Sequence, residues 1–239
     1  MKRYSCMIFD ADHTLLDYLA DEKQAFLEVY KHLGMPVSDE LLAISRVSSE
    51  NAWTEAGLYN VTDPKVQQAY HTLYRTHTEE IFNRIFAKFP CDTATAKQAG
   101  LLFLEKLKTQ GKAFDGALEL VQTLSRKTGG KYRVAIATNG LSDIQHARLS
   151  AFAPYVERVY VSQDLDSVKP LPSFFQRMLQ GLGVEQRACL MIGDSLVSDI
   201  AGAKAVGMDA CFFNPKGQTD KDGVADFQIR SLQELYTMV

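Results

Sequence analysis

The chain has 239 residues, of which 46% are hydrophobic and 23% charged, and its formal net charge is −3. That length and apolar content suit one large domain or two modest ones with a sizeable core. The balanced charge gives no electrostatic footing for nucleic acid or an anionic membrane surface, and no apolar run in the sequence is long enough to cross a bilayer.

The first predicted element is a strand, CMIFD, within the stretch CMIFDADHTLLDY. The sequence starts basic, but its apolar run is too short for a signal peptide and meets Asp10 at once. The apolar run ends in Asp10 and Asp12 with Ala11 between them. On a continuing strand both carboxylates would point the same way. One such carboxylate can act as a nucleophile and the other can move a proton. A pair of loop-exposed acids is the plainer reading, but it fits poorly with an apolar strand leading in and TLL following.

Residues 17–111 carry long helical patterns and no competing strand pattern. The spacing is clearest at Tyr70, Leu73, Tyr74, Ile81, Phe82, Ile85 and Phe86. An all-helical domain over 17–111, inserted between residues 1–16 and 112–239, is the economical reading. Hinges are expected near Asp17–Tyr18 and Lys112–Phe114. Within it, Trp53 and Tyr59 could stack on a base and Asn51 could read its edge. Packing is the expected role of aromatics in such a domain.

From residue 112 onward, strands are predicted at 132–138, 158–162, 188–193 and 210–214. They alternate with helices at 115–128, 142–152, 172–182, 197–206 and 231–238. Strand–helix alternation implies an α/β domain, a doubly wound Rossmann-like parallel sheet covered on both faces. Its ligands are expected beyond the carboxyl ends of the strands.

Three further strand ends carry polar residues. The run VAIATNG ends in Thr138, Asn139 and Gly140, and Ser142 to Gln145 fits a helix capping box. Free N–H groups there would suit a phosphate; an ordinary Asn-Gly turn reads equally well. In SVKPLPSFF, Pro170 biases Lys169 towards extended backbone and Pro172 marks a helix start. A lysine so placed can offer charge to a phosphate and a carboxylate, or simply be a solvated loop residue. In GDSLVSD, Asp194 follows a buried run and Asp199 lies in the next helix. Carboxylates of Asp10 and Asp194 are hard ligands suited to Mg²⁺, and three acids crowded with one lysine call for a compensating cation.

Cys6, Cys189 and Cys211 lie in strand-like runs and Cys91 stands apart, so buried thiols in a reducing cytoplasm are expected rather than disulfides. His13, His32, His71, His77 and His146 show no paired metal spacing.

In this order, DADHT, TNG, KP and GDSLVSD resemble the four motifs of the haloacid dehalogenase-like hydrolase superfamily, and the helical insert resembles its small α-helical cap. FDADHTLLDY and TNGLSDIQHARL resemble a subgroup of nucleoside 5′-monophosphatases active on pyrimidine nucleotides. Many members have Gly or Glu where this chain has His13. The resemblance implies Asp10 as nucleophile through an aspartyl-phosphate and Asp12 as general acid and base. It implies Mg²⁺ held by the Asp10 carboxylate, the Asp12 backbone carbonyl and Asp194, with Asp199 supporting. It implies phosphoryl binding by Thr138, the Asn139 backbone and Lys169. A cytoplasmic 5′-nucleotidase acting on a small phosphate ester is the expected protein. A phosphatase for a sugar phosphate or phosphoglycolate, a phosphomutase, a 2-haloacid dehalogenase and a non-enzymatic regulatory protein are the alternatives. Halide displacement needs no protonation, so Asp12 favours ester hydrolysis over dehalogenation, and no lysine in the insert is placed for phosphonate chemistry.

Overall fold

The computed structural model describes residues 4–217, 220 and 223–238. The chain divides into two compact units, one formed by Tyr18–Lys112 with Asp143–Arg148 and the other by Met1–Asp17, Ala113–Ser142 and Leu149–Val239.

The helical unit contains α1 (Tyr18–Leu33), α2 (Asp39–Glu55), α3 (Pro64–Lys88) and α4 (Ala96–Lys108). Their starts follow from side-chain capping. Ser38 accepts from Leu41 N–H, Asp63 accepts from Lys65 N–H with Pro64 in the first turn, and Thr95 with Gln98 forms a capping box. The apolar stripes meet around Phe26, Phe82 and Phe103, with the Phe26 and Phe103 rings 4.6 Å apart. Gly100 lets α4 approach α3, since a Cβ there would lie 2.9 Å from the Thr78–Glu79 backbone. Glu22 is buried, and burial raises its pKa even though Ser49 and Arg46 hydrogen-bond to it. Trp53 sits among Tyr74 (5.3 Å), His77 (5.1 Å) and Tyr59 (6.3 Å), a packing cluster, while Asn51 is exposed.

The other unit is built on β1 (Cys6–Phe9), β2 (Arg133–Thr138), β3 (Val159–Val161), β4 (Cys189–Gly193), β5 (Asp209–Phe213) and β6 (Phe227–Ile229). Among the described residues they form one parallel sheet in the order β3-β2-β1-β4-β5-β6. Alternate strand residues face opposite layers. Phe9, Ile136 and Ile192 join the core shared with α5 (Ala117–Leu124), whereas Ile8, Ala137 and Met191 join that shared with α7 (Pro172–Leu182). Each fully buried aliphatic contributes roughly 1.5–3 kcal/mol. This is the expected α/β architecture, a doubly wound Rossmann-like sheet with an inserted all-helical segment.

Several boundaries differ from the sequence expectation. Helix α6 (Ser142–Arg148) stops well before residue 152, because Leu149 and Phe152 turn into the sheet's core. The capping box at its start does not form: Ser142 N–H donates to Gln163 Oε1 at 2.8 Å, and Gln145 Oε1 accepts from Arg148. After β4 the chain winds as a π-helix over Leu196–Ala201, with Ile200 N–H reaching back to Ser195 O at 3.1 Å. A short α8 (Gly202–Ala205) follows. The final predicted helix is a 3₁₀ turn at Leu232–Glu234 leading into α9 (Leu235–Met238). Strand β6 was not predicted; only Ile229 of its three residues is buried, so it lacks an apolar run. All four cysteines are free, with Cys6, Cys189 and Cys211 buried. Among the described residues no helix is long and apolar enough to cross a membrane.

Candidate active site

Strand β1 runs in register with both β2 and β4, placing Phe9 between Ile136 and Ile192. Asp10 follows directly, and its N–H still donates to Ile192 O at 2.8 Å. The backbone then folds over Ala11, whose carbonyl accepts from Thr14, Leu15 and Leu16. The strand therefore ends before Asp12, and simple alternation does not orient that side chain, contrary to expectation. His13 sits at φ 64 in this turn, a left-handed conformation that glycine adopts more cheaply.

Lys169 holds the centre. It is 2% exposed, and its Nζ donates to Asp10 Oδ1 (2.6 Å), Asp199 Oδ1 (2.6 Å) and the Ala137 carbonyl (2.8 Å). All three ammonium protons are thereby used, and the solvated-lysine reading is excluded. The backbone of Lys169 is fixed by Asn139: its Oδ1 accepts from Lys169 N–H at 2.8 Å and its Nδ2 donates to Lys169 O at 3.0 Å.

Asp199 is 1% exposed, rather than a surface residue. The π-helix turns it back under β4, where its Oδ2 accepts from Ser195 N–H at 3.0 Å. Gly193 is required by that position, since a Cβ there would meet Asp199 Oδ2 at 2.3 Å. Carboxylate oxygens of Asp10, Asp194 and Asp199 all lie within 4.8 Å of one another. Among the described residues no other such group of three appears. Histidine plays no part in it.

The electrostatics of this cluster are unbalanced. Burial pushes the Asp10 carboxyl well above its ordinary range; Lys169 opposes this, and Asp199 and Asp194 add to it. Burial, then Asp199, pushes Asp194 up to about 7. Burial works against the Lys169 charge, but Asp10 and Asp199 outweigh it and raise its pKa. One ammonium shared among three acids cannot neutralise them. The donor set is all hard oxygen and carries surplus negative charge, which fits a Mg²⁺ ion.

Thr138 ends β2, buried, with its Oγ1 donating to Asn139 O at 3.2 Å. The N–H of Gly140 donates to Ser162 Oγ at 3.0 Å. Together with the Ser142 bond to Gln163, this commits two of the amides that the sequence offered to a phosphate. Sequence reading missed the side-chain role of Asn139 and the Ala137 carbonyl, which depend on a loop thirty residues away and leave no local signal.

The model for haloacid dehalogenase-like hydrolases matches residues 4–207. The chain is 28% identical to the HAD-hydrolase YfnB of Bacillus subtilis over 241 residues, covering 99% of this chain and 95% of that protein. It is 29% identical to the pyrimidine 5′-nucleotidase PynA of Streptococcus pneumoniae over 238 residues, covering 97% and 93%. The crystal structure of Bacillus subtilis YfnB bound to magnesium superposes with a TM-score of 0.81 at 25% identity, covering 99% of both chains. With the family model matching residues 4–207, most of its length, the chain belongs to the haloacid dehalogenase-like hydrolase family.

Proposed function

We propose that the protein is a Mg²⁺-dependent phosphomonoesterase that hydrolyses a nucleoside 5′-monophosphate through an aspartyl-phosphate. The observation that carries this reading is Lys169 bridging Asp10 and Asp199 beside Asp194. An Asp10 oxygen attacks phosphorus and the ester bond to the alkoxide breaks. Asp12 donates a proton to the departing alkoxide. It then takes a proton from water, whose oxygen attacks the phosphoryl group and releases phosphate, restoring Asp10. Thr138 and the Asn139 backbone hold the phosphoryl oxygens, Lys169 joins them by exchanging one of its present acceptors for a phosphoryl oxygen as the ester binds, and its charge offsets repulsion between a phosphate dianion and an anionic nucleophile. The Asp10 carboxylate, the Asp12 carbonyl and Asp194 would hold Mg²⁺, with Asp199 supporting through Lys169 and Ser195. Bound there, the ion supplies the positive charge that lets the buried carboxylates stay ionised.

The helical unit acts as the cap that sets the leaving group, with hinges near Asp17–Tyr18 and Lys112–Phe114. Similarity to PynA supports a nucleotide as the substrate. Released phosphate measured over nucleoside monophosphates and sugar phosphates, with Mg²⁺, tests the reading. Pyrimidine monophosphates are expected to turn over fastest, and Asp10→Asn is expected to abolish turnover while leaving the fold intact. Substantial activity in that variant excludes the nucleophile assignment, and a sugar phosphate as best substrate excludes the nucleotide assignment.

A further inference from the structure

Another buried ion pair lies within the helical unit. Arg148 Nη2 donates to Asp21 Oδ2 at 2.9 Å, with the two side chains 0% and 2% exposed. The other oxygen, Asp21 Oδ1, accepts from the N–H groups of Gly111 (3.2 Å) and Lys112 (2.9 Å). Arg148 Nη1 donates to Gln145 Oε1 at 2.8 Å, and the guanidinium lies 5.4 Å from the centre of the Tyr18 ring. Gly111, at φ 147, admits no side chain, because a Cβ would sit 2.4 Å from the Arg148 carbonyl oxygen. One carboxylate thus gathers the chain where it enters the helical unit, where it leaves it, and where α6 ends.

Helix α6 has an unusual allegiance. It is separated from Thr138–Gly140 by one residue, yet its body, Asp143–Arg148, groups with the helical unit, while Ser142 and Leu149 group with the sheet unit. The chain therefore crosses between the units four times, not twice. A buried ion pair is often replaceable by apolar residues of equal volume without loss of stability. What an apolar pair cannot supply is the directional set of bonds that fixes three backbone segments at once.

We propose that Asp21 and Arg148 are positioning residues for phosphoryl binding: they fix the far end of α6 to both chain crossings, so the setting of the 138–140 loop depends on the helical unit. The kinetic half of this inference rests on the phosphatase reading; the backbone half does not. The full-length protein is compared with Arg148→Met, Arg148→Lys and Asp21→Asn. Amide hydrogen exchange is followed over residues 139–142 without metal or substrate. KM and kcat for p-nitrophenyl phosphate with Mg²⁺, and the inhibition constant of inorganic phosphate, are then measured. Arg148→Met is expected to speed exchange at 139–142 at least tenfold and to raise KM and the phosphate inhibition constant about tenfold, more than it lowers kcat. Arg148→Lys is expected to recover most of both. Faster exchange confined to 18–21, 110–112 and 145–148, or a phosphate inhibition constant within twofold of wild type, overturns the proposal. If Arg148→Met does not fold, Asp21→Asn, which keeps the volume and removes the charge, decides by the same criteria. If the wild type hydrolyses no phosphate ester, the phosphatase reading falls and exchange at 139–142 alone decides the coupling.

Discussion

The side-chain amide of Asn139 is bonded reciprocally to the backbone of Lys169, accepting from its N–H at 2.8 Å and donating to its carbonyl at 3.0 Å. The geometry matches two paired peptide groups, so it fixes the lysine's main chain as a strand neighbour would. The ammonium at the other end of that side chain is what reaches Asp10 and Asp199.

Replacing Asn139 by Ala leaves both Lys169 backbone groups to find other partners. Each lost buried bond costs about 1–2 kcal/mol of stability. Displacement of the ammonium is expected to lower kcat by about 100-fold. Steady-state kinetics beside a thermal melt separate the two effects. A variant that melts earlier but keeps its kcat would assign Asn139 to stability alone.

Gly193→Ala places a methyl 2.3 Å from Asp199 Oδ2. Asp199 must shift, and with it the partner that orients Lys169. Affinity for Mg²⁺, read by titration calorimetry, is expected to weaken by roughly 10–100-fold, as when a supporting residue behind a metal ligand is removed. Unchanged affinity would show that Asp199 does not support the ion.

The acid cluster makes metal-free stability fall as pH rises. Asp194 is pushed up to about 7 in the folded chain, above its ordinary value near 4. Below pH 4 both states hold the proton; between 4 and 7 only the folded state does, and the stabilisation is lost across that window. The full effect is about 4 kcal/mol. In EDTA, Asp194→Asn is expected to melt near wild type at pH 4 and several degrees above it at pH 8, with Mg²⁺ closing the gap. Parallel melting curves for the two proteins across this range would contradict the crowding argument.

His77 acts with the opposite sign. Burial lowers its pKa to about 4 from 6.5, and its Nδ1–H donates to Tyr74 O at 2.6 Å. The folded chain resists the proton that the unfolded chain accepts. Stability is complete above pH 6.5 and is lost as pH falls towards 4, by about 3 kcal/mol at most. His77→Gln is expected to abolish this component, so its stability relative to wild type improves steadily on acidification. A difference independent of pH would place the histidine in another environment.

The sheet was legible because β1, β2 and β4 are covered on both faces. Each therefore reads as an apolar run that breaks into polar residues where the sheet ends. Asp10 and Asp194 stood out as acids directly at two of those breaks, with Lys169 and Asp199 as charged groups in the segments that follow β3 and β4. What the sequence could not show is contact between distant segments. Asn139 lies directly after a strand, yet its partner is thirty residues on, and Asp21 is separated from Arg148 by 127 residues. The burial of Asp199 was hidden for another reason: ordinary helical spacing gives no hint of a π-helix. Strand β6 escaped because two of its three residues face solvent.

The wide turn at Leu196–Ala201 makes chain length here matter more than residue identity. Losing one residue would restore ordinary helical winding and rotate one side of the segment against the other by about 100°. Either Asp199 would swing away from Lys169, or Ile200 and Ala203, both fully buried, would be drawn out of the core. A single-codon deletion within this segment should thus be far more damaging than a substitution at Val197, which is 46% exposed.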